Sequence, residues 1–207
     1  MASSPPPRAG AASPSRWRRP DPVHQRSRSA PLPPVAPPPA ATSLAGSLLE
    51  AATLLERERL GTALLGVLND AFRLPPCRLV VADRPQLHAT DEGGRLTRRT
   101  YGTYRCRLSR PGDPPGGCVI RIYHLTAIRR QVLRPRPFLD TLLHEWVHHL
   151  DFAGLRFDRS PHTSGFYHRL QAVGDALGVG SSPSPAPRPR SQGSPGATAR
   201  RRGRGAE

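Results

Sequence analysis

The stretch from Leu139 to Leu150 constrains this chain more than any other. Leu139, Leu142, Leu143, Trp146, Val147 and Leu150 recur at helical spacing with no Gly or Pro between them. The segment therefore predicts a helix with one apolar face that must be buried, and the fold has to be built around it. The same helix carries His144-Glu145-Trp146-Val147-His148, an HExxH pattern. Residues four apart share a helix face, so His144 and His148 can aim their imidazoles at one point. That placement suits a zinc ion, with Glu145 set to take a proton from a water the ion activates. Two surface histidines beside a solvated glutamate are the plainer reading, and the coincidence of the motif with a clear helix argues against it. The expectation is a zinc-dependent hydrolase, foremost a peptidase.

Catalytic zinc usually takes three protein ligands and keeps a fourth position open, so a third must come from elsewhere. No glutamate occurs between Glu145 and Glu207, which disfavours a downstream helical glutamate. The pattern HExxHxxGxxH fails too, because Asp151 and Gly154 stand at its Gly and His positions. His149, Asp151, Asp158, His162, His168 and Asp175 remain. His149 points about 100° around the helix from His148, away from the metal. Asp151 can approach the same face or orient an imidazole from behind. His162 is the strongest choice: it follows a loop long enough to return the chain and opens an amphipathic stretch with Phe166, Leu170, Val173 and Leu177. His168 faces elsewhere on that stretch and reads as a surface residue.

These residues carry a family resemblance. The run from Thr141 to His149, followed by Pro161-His162-Thr163-Ser164-Gly165-Phe166, resembles the signature of the SprT-like (Spartan-type) metallopeptidases. That signature is HExxH and then, about a dozen residues on, a third His in a PHG-like segment. Leu65 to Phe72 followed by Leu74 to Val81 is similar to the family's helix and first strand, and Tyr101–Tyr104 and Val119–Ile122 to its strands before the metal helix. Thr163 stands where the family has Gly, and the CxxC pairs of the zinc ribbon that many members carry are not in this sequence. The resemblance implies a zincin-like domain, zinc on His144, His148 and His162, Glu145 as general base, and substrates among DNA-associated proteins.

Around this centre the composition changes. Residues 1–42 and 181–207 are dominated by Pro, Ala, Ser, Gly and Arg, with too little apolar surface to offset backbone entropy, and read as disordered arms. Residues 43–180 are the size of one domain. Within them, Ser43 can cap a helix running, with a break near Gly61, to Phe72, where Pro75-Pro76 stops it. Leu79–Val81 reads as a strand, and Gly102–Leu108 with Cys118–Leu125 as a hairpin around a long Pro/Gly-rich loop. Strands precede the last two helices rather than alternating with them. The expected class is α+β, an N-terminal helix and a small antiparallel sheet, then the HExxH helix and a third-ligand helix. Val119–Leu125 is expected at a sheet edge, where an extended peptide could pair with it. Tyr123, His124, Tyr167 or an arginine could stabilise an oxyanion.

The chain carries a formal charge of +16, and all 31 of its basic residues are arginine. Each arm has six arginines against one acidic residue. Basic arms suit contact with nucleic acid or another polyanion, although arginine in place of every lysine also suggests coding bias. Cys77, Cys106 and Cys118 lack CxxC spacing; Cys106 and Cys118 can face each other across the hairpin, but would stay reduced inside a cell. No apolar run is long enough to span a bilayer, and no secretory h-region is present. The cytoplasm or nucleoid is the expected location, while the Arg- and Ser-rich start also fits an organellar transit peptide. Two other functions stay open: a non-peptidase zinc hydrolase, and a non-enzymatic basic adaptor that binds nucleic acid or another polyanion.

Overall fold

In the computed structural model, residues 21–31, 33, 35–107 and 116–180 are described. The expectations of disorder for residues 1–20 and 181–207 lie outside them. Helices α1 (Pro22–Ser29), α2 (Pro39–Glu50) and α3 (Leu54–Ala71) lead into β1 (Cys77–Pro85), β2 (Leu87–Thr90), β3 (Leu96–Thr100), β4 (Gly102–Arg107) and β5 (Gly116–Leu125). Helix α4 (Pro135–His149) runs into a π turn (Leu150–Gly154), and α5 (Ser164–Ala176) ends the described chain. The class is α+β, as expected.

The N-terminal helix is two helices. Ser43 lies inside α2, its hydroxyl donating to the Pro39 carbonyl, because Pro39 already supplies the fixed φ of a first helical residue. The break comes at Ala51–Thr53, where Thr53 and Glu56 cap α3 reciprocally: Thr53 Oγ1 accepts from the Glu56 N–H, and Glu56 Oε2 from the Thr53 N–H. Gly61 does not interrupt α3. A Cβ there would sit 2.6 Å from Leu79 Cδ2, so its bareness is what lets β1 approach the helix. Composition also misplaced the boundary at 43. Residues 22–29 and 39–42 are helical, and Ser27 and Ala41 are buried.

The sheet is mixed, not antiparallel. Its order is β1-β5-β4, with β1 parallel to β5 (Leu79 opposite Ile120) and β4 antiparallel to it (Tyr104 opposite Ile120). Strand β5 is therefore central, and the expected edge at Val119–Leu125 is closed on both sides. Strands β1 and β4 are the outer strands of this sheet among the described residues. A separate hairpin, β2–β3, turns at Asp91–Arg95, where Gly94 takes a positive φ of 74°. Cys106 and Cys118 face each other between β4 and β5, as the hairpin leads one to expect, and are joined as a disulfide.

Leu79, Val81, Ile120 and Ile122 point to one face of the sheet, and α3 and α4 cover it. The apolar face of α4 is buried along its length: Phe138, Leu139, Leu142, Leu143, Trp146 and Val147 are all enclosed. Trp146 meets the Phe72 ring edge-on, and its indole N–H donates to Asn69 Oδ1 at 2.9 Å. That bond pairs the indole polar atom, which would otherwise be costly to bury. Among the described residues no helix is long and apolar enough to cross a membrane.

Candidate metal centre

With one face of α4 locked into the core, the residues on its flank have little freedom left. His144 and His148 stand one turn apart, ring centroids 5.0 Å from each other. His162 comes to meet them from the loop before α5, its Nε2 lying 3.0 Å from Nε2 of each. It precedes the helix rather than opening it. Thr163 is the N-cap, its hydroxyl accepting from the Phe166 N–H at 3.3 Å. The buried Phe166 ring closes the cluster from one side, between 4.7 and 4.9 Å from all three imidazoles.

The chemistry of this donor set can be tested against a metal. His148 Nδ1 is 2.7 Å from Ser160 Oγ, and that hydroxyl donates its single proton to Asp151 Oδ2, also at 2.7 Å. Ser160 can then only accept from His148, so the proton sits on Nδ1 and the Nε2 lone pair faces the other two rings. Burial, reinforced by the neighbouring imidazoles, depresses His144 to about 4 and His148 to about 3; burial lowers His162 as well, against the pull of Asp151. At neutral pH the three are uncharged. Zinc held tetrahedrally at about 2.0–2.1 Å from each nitrogen would space them about 3.3 Å apart; His162 Nε2 already lies 3.0 Å from each of the other two, and all three ligand atoms fall within 4.8 Å of one another. The residues fit a metal ion.

Compared with protein-family models, curated proteins and solved structures, the chain matches none. The assignment of these residues therefore rests on their own geometry.

Glu145 points to the other side of the same helical turn, against β4. It is buried, and burial pushes its carboxyl up to about 7, with the Tyr104 backbone N–H pulling the other way. Gly102 makes the contact possible, since a Cβ there would lie 3.0 Å from Glu145 Cγ and 2.8 Å from Thr141 Cγ2. A buried carboxyl whose proton affinity is raised toward neutrality, beside an outer strand, suits proton transfer.

Of the residues the sequence singled out, His144, His148 and His162 are brought to one place, and Glu145 lies on the neighbouring flank of α4, against β4. Asp151 supports from behind: it holds Ser160 and pairs with Arg169, whose Nη2 donates to Oδ2 at 2.9 Å while Nε makes a 2.9 Å charge contact with Oδ1. His149 turns away into the core, between the Tyr104 hydroxyl and the Pro75 carbonyl. Asp158 and His168 are exposed, and Asp175 accepts from Gln171. Among the proposed oxyanion donors, Tyr167 lies near the cluster, its ring 6.1 Å from that of His162. Ser160 and Arg169 were not foreseen. A hydroxyl two residues before a ligand is a weak signal, and Arg169 gains its role only through the position of Asp151.

Proposed function

We propose that this protein is a zinc-dependent metallopeptidase of the SprT-like kind, acting on peptide bonds of DNA-associated proteins. The observation that carries the reading is the convergence of three neutral imidazoles beside a buried carboxyl whose affinity for protons is raised toward neutrality. His144, His148 and His162 would hold the ion, which supplies an acidified water and a Lewis acid for the scissile carbonyl. Glu145 takes the proton and hands it to the leaving amine. The outer edge of β4 suits the substrate. Tyr123 N–H bonds to the Tyr101 carbonyl, so by strand alternation Gly102 and Tyr104 turn their main-chain groups away from β5, the Tyr104 N–H towards Glu145. An extended peptide can add there, next to Glu145.

Elemental analysis of purified protein tests this reading. About one zinc is expected in wild type and in Glu145→Ala, and little in His162→Ala. Peptide hydrolysis should fall by roughly 10²–10⁴ in Glu145→Ala. A folded, zinc-supplied wild type without zinc would remove the proposal.

One observation favours the basic adaptor as a second reading. Arg78, Arg105, Arg107 and Arg121 line one concavity with no acidic residue in its wall. None makes an ion pair with another described residue. Salt-sensitive binding of a labelled oligonucleotide, lost on Arg105→Ala/Arg121→Ala, would support this reading. Such binding without hydrolysis would favour it over the peptidase.

A further inference from the structure

His162 is the only one of the three ligands outside a helix, so something else must hold it. We infer that α1 is a clasp: through Ser27 and Arg169 it fixes both the loop that carries His162 and the support behind His148. The inference rests on the metal-centre reading. Ser27 is fully buried, and its hydroxyl reaches both neighbours of His162, lying 2.8 Å from Thr163 Oγ1 and donating to the Pro161 carbonyl at 3.5 Å. Arg169, also buried, donates from Nη1 to the Ser27 and Ala30 carbonyls at 3.0 and 2.8 Å. Those carbonyls lie at the C-terminus of α1, the end of a helix that favours a cation. The same guanidinium bonds Asp151, which holds Ser160, which holds His148 Nδ1. One arginine thus joins the end of α1 to a metal ligand.

The seat is shaped for this contact. A Cβ on Gly165 would lie 2.1 Å from the Ser27 carbonyl oxygen and 2.6 Å from that of Arg28, so α1 can dock only against a bare residue. Further out, Asp21 pairs with Arg159, and Arg26 stacks over Phe157 at 5.1 Å. Both tie α1 to the loop between the π turn and His162.

The test is Gly165→Ala in the full chain, with Ser27→Ala beside it and Gly66→Ala as control, since nothing lies within 4 Å of a Cβ at Gly66. Alanine favours helix over glycine, so weakening in Gly165→Ala cannot be laid to α5 itself. Zinc affinity, by competition with a chromophoric chelator, should fall by about 10-fold or more in Gly165→Ala and in Ser27→Ala. The visible spectrum of the cobalt(II) form should change as His162 loosens, and the control should match wild type. Zinc affinity within about twofold of wild type in both variants overturns the clasp. Amide exchange of the metal-free proteins across Arg159–Thr163 separates the two ideas. If wild type binds no zinc, the metal reading fails, and exchange alone decides: faster in both variants supports the clasp, unchanged overturns it.

Discussion

Asp151 and Arg169 show how much a single residue can hold up. Both side chains are shut off from solvent, and such a pair adds little net stability compared with an apolar pair, yet losing one partner strands a buried charge. Asp151→Ala should cost about 3–5 kcal/mol of unfolding free energy, read from denaturant midpoints at constant slope. Ser160→Ala separates support from stability. It leaves the Asp151–Arg169 pair intact, but takes the acceptor from His148 Nδ1, so zinc should bind roughly 10–100-fold more weakly with only a small change in stability. Equal zinc affinity in wild type and Ser160→Ala would mean the relay does not orient His148. Cys77 illustrates burial without function: burial pushes its thiol up to about 12, so it should resist alkylation at pH 8 until the protein is unfolded.

At the level of elements, the contact between β4 and α4 decides whether Glu145 faces the substrate. Gly102 lies in that contact, and an added Cβ would meet the Arg121 carbonyl oxygen and Glu145 Cγ, both at 3.0 Å, besides Thr141. Gly102→Val should lift β4 from α4 and cut kcat/KM for a peptide by tenfold or more while zinc content stays the same. A variant as active as wild type would show that β4 is not part of the working site. The legibility of these elements followed the range of the interactions that make them. Helix α4 was plain because its apolar period is local and strong, and HExxH rides on it. The three histidines followed from spacing, with no need of the sheet. The parallel pairing of β1 with β5 could not be read, since it joins Leu79 to Ile120 across some forty residues, and short apolar alternations do not name their partners. Strands β2 and β3 were missed because their faces are mostly exposed and lack an apolar stripe. Helix α1 was hidden by its composition: what it buries is a serine against an arginine, which no hydrophobic pattern reports.

For the whole molecule, the question is whether metal holds the fold together or only occupies it. The core runs from Ala41 on α2 to Leu177 beyond α5 and includes none of the three histidines, touching the cluster mainly through Phe166. A chain that buries this much apolar surface does not need an ion to fold, unlike small domains whose metal replaces a core. Zinc at the proposed site would bind the folded state alone, and at a free concentration a hundredfold above its dissociation constant would add about 2.7 kcal/mol. For a domain of this size that corresponds to a melting temperature about 5–10 °C higher with zinc than with excess chelator. The metal-free protein should keep one cooperative transition and the same tryptophan emission as the zinc-bound form, with the enclosed Trp146 contributing beside Trp17. If chelation instead abolished the transition, the ion would be a structural staple, and an open coordination position for catalysis would lose its main support. Reversible loss of hydrolysis without loss of the fold is the behaviour expected of a site laid onto a finished core, with α4 shared between the two.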